Sequence, residues 1–238
     1  FGCSTQERAV LAREAVKAKY RARLISAIPR AGNGNRVYLM DLHSEGIPYY
    51  FENGLVARHI YAKSLVIEAA KRLAAVCTRQ LKTKPANPTD PFKVRITSCM
   101  SPDADKVLKE TAFEEFCLAS TDAGRAKWVE SLTRDMVEMG LPVHPAFIIK
   151  RRLSGEETTV MDISADVEGM IVIIYDDMIR TGGSLVRAAK AYLERGAAMV
   201  IAIATHAILP NDSIKKLEDS GMIAQIVVTD SHPRALEL

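Results

Sequence analysis

The run Ile174-Tyr175-Asp176-Asp177-Met178-Ile179-Arg180-Thr181-Gly182-Gly183-Ser184 places adjacent carboxylates, hydroxyls, a guanidinium and a glycine pair within one short segment. Asp176 and Asp177 can accept hydrogen bonds from neighbouring hydroxyl groups. Gly182 and Gly183 let backbone N–H groups close around an anion, and Thr181 and Ser184 add hydroxyl donors to the same place. A helix starting there contributes about half a positive charge. Arg180 either strengthens the hold on a phosphate or faces solvent. A ligand that satisfies both halves has a vicinal diol and a phosphate one carbon beyond a sugar ring, which describes a ribose 5-phosphate unit. The plainer alternative is an acidic turn before an amphipathic helix; the ordered set after a β run favours the ligand.

Such a loop needs a strand to deliver it and a helix to follow. Ile171 to Tyr175 (IVIIY) is a continuous β-branched run, expected of a strand buried on both faces. The turn is read as Asp176 to Ser184 and the helix as Leu185 to Arg195, stopped by Gly196. Met199 to Ala204 gives another strand. Asn211-Asp212-Ser213 can cap a short helix ending near Gly221, and Ile223 to Thr229 gives a third strand. Strand, helix, strand, helix, strand specifies an α/β fold with a parallel sheet and right-handed crossovers. Earlier in the chain, Glu7 to Ile28 reads as a long helix, Val37 to Leu42 as a strand and Ile60 to Ala75 as a helix. Thr83 to Pro91 holds three prolines and reads as a surface loop that opens an insertion reaching about Cys117.

Four further segments carry candidate chemistry. His43 closes the strand ending Asp41-Leu42-His43, where it is either a ligand or a strand-end histidine satisfied by a carbonyl. Ala119-Ser120-Thr121-Asp122-Ala123-Gly124 follows another apolar stretch. Phe147-Ile148-Ile149-Lys150-Arg151-Arg152 ends in a cationic run whose bland reading is a solvated loop. Cys3-Ser4-Thr5-Gln6-Glu7-Arg8 has the form of a helix cap with Glu7 at the third position.

Taken in order, these segments resemble the ribose-phosphate diphosphokinase (phosphoribosyl pyrophosphate synthetase) family. The run 174–184 is similar to the phosphoribosyl-binding loop that this family shares with phosphoribosyltransferases. Arg36 to His43 looks like the family strand whose histidine binds metal, and 119–124 like its Ser-Pro-Asp-Ala-Gly loop, whose Asp also serves the metal. Residues 147–152 look like the strand entering its catalytic loop. Val160-Met161-Asp162, Asp166 to Gly169 and Ala204-Thr205-His206 continue the match. Ser101-Pro102-Asp103-Ala104 spells the Asp loop more literally, yet it is also a plain helix start with Pro at the first position. Asp122, nearer Lys150 and followed by Gly124, is preferred.

The resemblance implies two phosphoribosyltransferase-like α/β domains with central parallel sheets. Residues 1–56 would be the remainder of an N-terminal nucleotide-binding domain lacking its first part. Residues 57–232 would be the C-terminal domain, with an insertion at about 77–117, and 233–238 a tail. It implies transfer of the diphosphate of ATP to the anomeric hydroxyl of ribose 5-phosphate, with the site between the domains. It assigns Lys150 and Arg152 to the transition state and Arg152 also to the sugar phosphate. The ribose 5-phosphate site would be Asp176, Asp177, Arg180, Thr181, Gly182, Gly183 and Ser184. Gln6 and His43 would meet ATP, and His43 and Asp122 would hold Mg2+. An imidazole is an unusual partner for magnesium, so His43 could instead touch the nucleotide phosphates. A homo-oligomer is implied as well. Two departures stand out: Thr5 replaces a family arginine, and Arg180 a family aspartate. They keep open a non-catalytic regulatory homologue, and the shared loop keeps open a phosphoribosyltransferase.

Composition narrows the field. Lys and Arg number 32 against 29 Asp and Glu, so no basic field points to nucleic acid. No apolar run approaches the length of a membrane span. No charged-then-apolar leader is visible, which makes the cytosol the expected compartment. The cysteines, Cys3, Cys77, Cys99 and Cys117, form no CxxC pair and read as reduced thiols. There is no Gly-x-x-x-x-Gly-Lys, so the chain is not a P-loop kinase.

Overall fold

The computed structural model describes residues 8–9, 14–83, 95–97, 103–152 and 159–238. It divides into two compact units, Phe1–Ala62 and Lys63–Leu238. The sequence boundary at 56/57 moves to 62/63 because Val56–Ile60 pairs in parallel with Arg36–Met40, which ties it to the first unit.

In the first unit, α1 (Lys17–Ser26) precedes β1 (Arg36–Met40) and β2 (Val56–Ile60). Residues 14–16 are not helical, so the helix is shorter than the span 7–28 read from composition; it begins at Lys17, and Val16 before it provides no side-chain cap. Ala18, Ala22 and Ser26 recur every fourth residue and form its buried face, against a short 3-10 turn at Ile47–Tyr50. Ser26 fastens the end of the helix. Its hydroxyl donates to Ala22 O at 2.8 Å and accepts from Glu52 N at 2.9 Å.

The second unit is built on a six-stranded sheet in the order β3-β10-β9-β8-β4-β5, with every neighbouring pair parallel. Its strands are β3 (Arg95–Thr97), β4 (Phe116–Ser120), β5 (Val143–Ala146), β8 (Ile171–Ile179), β9 (Met199–Ala207) and β10 (Gln225–Val228). An antiparallel hairpin, β6 (Ile148–Arg152) and β7 (Thr159–Ile163), stands apart from that sheet. The helices are α2 (Lys63–Thr83), α3 (Ala104–Glu110), α4 (Ala126–Glu138), α5 (Gly183–Glu194) and α6 (Ser213–Ser220). Strands β8 and β9 are buried almost end to end because helices cover both faces. Val172, Ile174, Val200 and Ala202 point to the face that packs Leu185, Ala188, Ala189 and Tyr192 of α5 and Leu217 of α6. The alternate residues, among them Ile173, Tyr175 and Ile201, supply the opposite face, where α2 and α4 lie.

Several boundaries differ from the sequence reading. Helix α2 starts at Lys63, since Ile60 belongs to β2, and it runs on to Thr83 rather than stopping at Ala75. Of the span 77–117, the described residues include the last turns of α2, strand β3, helix α3 and the start of β4. Both ends of that span are therefore continuous with the framework. Most of the expected loop 83–91 lies outside the described residues. The expected tail is packed: Ala235 is fully buried and joins the core cluster. Cys77 and Cys117 are free and buried, and burial pushes their thiols up to about 12 and about 11.

Tyr192 links α5 to the sheet edge that matters below. It is fully buried, and its hydroxyl donates toward Ser120 O at 3.1 Å and Ala146 O at 3.3 Å, the last residues of β4 and β5. We expect Tyr192→Phe to lower unfolding free energy by about 1–3 kcal/mol in urea titration, because buried carbonyls lose their donor.

Candidate functional site

From β4 the chain leaves through α4 to β5 on one side, and from β8 it leaves through α5 to β9 on the other. The loops at the carboxyl ends of β4 and β8 thus diverge, and a crevice opens where the order reverses. Open α/β sheets bind ligands at such switch points. The loop after β4 carries Asp122, and the end of β8 carries Asp176 and Asp177.

Strand β8 does not end at Asp176. It continues to Ile179, pairing Met178 with His206 and Ile179 with Ala207, because β9 extends equally far. The acid pair therefore stands on a strand, and only residues 180–182 form the turn. Gly182 adopts φ +76°, and a Cβ there would lie 2.5 Å from Leu217 Cδ2, so both the backbone and α6 demand glycine. Helix α5 then begins at Gly183 with no side-chain cap. Its first N–H groups point toward the turn, as a phosphate cradle requires. Arg180, Thr181 and Ser184 are exposed beside it. Arg187, not singled out from the sequence, reaches back to Ser184 Oγ at 3.4 Å and adds a second guanidinium to this corner.

The two aspartates differ. Asp176 is half-buried; its Oδ2 accepts from Thr121 Oγ1 at 3.2 Å and its Oδ1 from Asp177 N at 2.9 Å. Asp177 is 1% exposed and lies 2.6 Å from Arg125 Nη2. The sequence reading gave both carboxylates to sugar hydroxyls. In the structure Asp176 is the more accessible, and Asp177 is held from the β4 loop. Arg125 was missed because a lone arginine in a loop gives no signal of a partner 52 positions away. Burial raises the Asp176 carboxyl most. The hydrogen bond and charge of Asp177 raise it further and Arg125 opposes, leaving it at about 7.

Asp122 is half-buried at the end of β4, and its Oδ1 accepts from Gly124 N at 2.9 Å. Asp103, its rival, begins α3, which packs on α2 and follows the edge strand β3. The switch-point position belongs to Asp122. Lys150 and Arg152 lie on β6, opposite Met161 and Thr159 of β7, and β6 runs close to the Ala123–Arg125 turn. Trp128 of α4 packs edge-on against Tyr175 at a centroid distance of 6.4 Å, as expected of a helix-to-sheet contact. His43 is exposed in the first unit, just beyond β1. Gln6 and Thr5 lie outside the described residues. No cluster of three or more His, Cys, Asp or Glu suited to a metal ion occurs among the described residues. A single carboxylate such as Asp122 suits magnesium that keeps other oxygen ligands from water and phosphate.

Sheet, acid pair and glycine turn together define an open, parallel α/β protein with its candidate site at the switch point between β4 and β8. A family profile for the phosphoribosyl synthetase-associated domain matches residues 133–238. The chain is 31% identical to a ribose-phosphate pyrophosphokinase of Marinomonas sp., across 100% of this chain and 60% of that protein. It is 32% identical to one of Vibrio cholerae, across 97% of this chain and 58% of that protein. The fold matches the phosphoribosylpyrophosphate synthetase of Mycobacterium smegmatis with TM-score 0.67 and 24% identity, covering 97% of this chain and 59% of that one. The chain is thus similar along its whole length to ribose-phosphate pyrophosphokinases and spans about 55–60% of the length of the curated relatives it matches.

Two outcomes follow from the acid pair. Arg125→Gln strands the Asp177 charge and should cost about 3 kcal/mol in denaturant unfolding, with Arg125→Gln combined with Asp177→Asn losing less. For Asp176, a carboxyl raised from 3.8 to about 7 keeps in the folded chain a proton that the unfolded chain has released. Its contribution to stability is therefore greatest at low pH and is lost as pH rises toward 7. The melting-temperature advantage of Asp176→Asn over the parent should grow between pH 5 and pH 8, by about 2–4 °C per kcal/mol relieved.

Proposed function

We propose that the chain carries the sugar-phosphate site and catalytic strand of a ribose-phosphate diphosphokinase, which transfers the diphosphate of ATP to ribose 5-phosphate. The observation that carries this reading is the meeting at one switch point of the Asp122 loop, the acid pair and the 180–182 turn opening α5, with β6 alongside. The 5-phosphate would lie on the N–H groups opening α5, with Thr181 and Ser184 donating and Arg180 adding charge. Asp176 would accept from the ring hydroxyls, and Asp177, paired with Arg125, would hold the adjoining position.

In the reaction the anomeric oxygen attacks the β-phosphorus of ATP. The bond from that phosphorus to the α-phosphate oxygen breaks, AMP leaves, and the hydroxyl proton is lost. Charge concentrates on the phosphoryl oxygens, so catalysis consists chiefly of neutralising and aligning them. Lys150 and Arg152 would supply fixed positive charge there. Asp122 would offer a carboxylate to magnesium arriving on the nucleotide, which would lower the charge of the diphosphate, and His43 is assigned separately to the metal or the nucleotide phosphates. Gln6 would contact the nucleotide. No described helix is long and apolar enough to cross a membrane. A cytoplasmic homo-oligomer acting on ATP and ribose 5-phosphate, with no nucleic-acid partner, completes the proposal.

The test is AMP release from ATP, with and without ribose 5-phosphate, on the intact protein and on Lys150→Ala. Sugar-dependent AMP should fall at least about a hundredfold in the variant. A folded protein that binds the sugar phosphate yet releases no AMP would sink this reading in favour of a regulatory homologue.

A further inference from the structure

The turn that carries His43 is pinned, residue by residue, to the exit of β2. Asp41 sits at φ +38°, a left-handed conformation that asparagine and aspartate tolerate better than most residues, and is 2% exposed. Its N–H donates to Ile60 O at 2.9 Å, and its Oδ1 accepts from Ala62 N at 2.9 Å. The next residue is fixed differently: Leu42 N–H points at His59 Nε2, 3.0 Å away.

A backbone N–H can only donate, so Nε2 must present a lone pair and the imidazole proton must reside on Nδ1. That proton is directed at Glu45 Oε2, 3.2 Å off, an oxygen that also accepts from Tyr61 OH at 3.3 Å. The His59 and Tyr61 rings lie 4.0 Å apart, which limits rotation of the imidazole, and the His59 side chain is only 11% exposed. The register explains the reach. His59 pairs with Leu39, and the ring folds forward to meet the chain where it leaves β1.

We infer that His59 is a positioning residue for His43. Its unprotonated Nε2 fixes the Leu42 peptide and thereby the direction in which the exposed His43 leaves the strand. Glu45 and Tyr61 hold the tautomer that makes this possible. The contact stands on geometry alone, while its consequence for turnover rests on the diphosphokinase reading given above.

Long-range 1H–15N correlation on the intact protein reads the His59 tautomer directly, and amide exchange reads Leu42. We expect the Nδ1–H form and a protected Leu42 amide. His59→Leu should remove that protection and lower kcat for sugar-dependent AMP release by about 10- to 100-fold, with KM for ribose 5-phosphate unchanged. His59→Gln, whose carbonyl oxygen can accept in place of Nε2, should restore most of both. An Nε2–H tautomer, or full Leu42 protection in His59→Leu, overturns the contact. Lost protection with unchanged kcat overturns the positioning role. In a protein that releases no AMP the enzymatic reading falls by itself. Calorimetric affinity for magnesium–ATP is then the readout, and equal values for His59→Leu and the parent overturn the proposal.

Discussion

Two adjacent carboxylates at the end of a strand buried on both faces are costly unless each finds a partner, and the second unit is arranged around meeting that cost. Ionised groups removed from water require opposite charge and hydrogen bonds. Both come from the β4 loop: Thr121 to Asp176 and Arg125 to Asp177. Neither could reach if β4 were not the immediate neighbour of β8 in the sheet. The same adjacency creates the switch point, so the crevice and the means of tolerating its charges have one cause. Tyr192 secures the arrangement from the other face by holding the last carbonyls of β4 and β5.

A similar economy of parts shapes the first unit. There a parallel pair of strands delivers a histidine, and the exit of one strand holds the exit of the other through Asp41 and His59. Local backbone strain at Asp41 persists because surrounding bonds over-determine it. In both units the loop bearing candidate chemistry is fastened by side chains from a neighbouring strand or its loop, more than by its own turn residues.

The alternation of strands and helices after residue 170 was legible in the sequence because it depends on short-range signals: β-branched runs, an amphipathic helix and Gly196. The glycine turn was legible for the same reason, since Gly182 answers a local demand for positive φ. What escaped was set by distant partners. Strand β8 outlasts its apolar run because β9 offers ladder bonds as far as Ala207, and this carries Asp176 and Asp177 into the sheet. Helix α2 outlasts Ala75 because Cys77 and Thr78 are still buried. Helix α1 begins at Lys17, later than its composition suggests, with no side-chain cap at Val16. Arg125 and His59 look ordinary in sequence, and only pairing across 52 and 17 positions reveals what they hold.

The sheet order also bears on how the chain reaches its native state. The β8–α5–β9 crossover is contiguous and can form early, whereas β4 joins β8 only after a long intervening segment has been looped out. The last edge is more remote still, since β10 must capture β3 from the far side of the unit's sequence. Until β4 docks, the acid pair stands in water and has no need of a counter-ion. Docking removes that hydration at the same moment as Arg125 arrives. The pair thus opposes every near-native register in which the guanidinium falls short, and the two carboxylates act as a proofreader of strand order during folding.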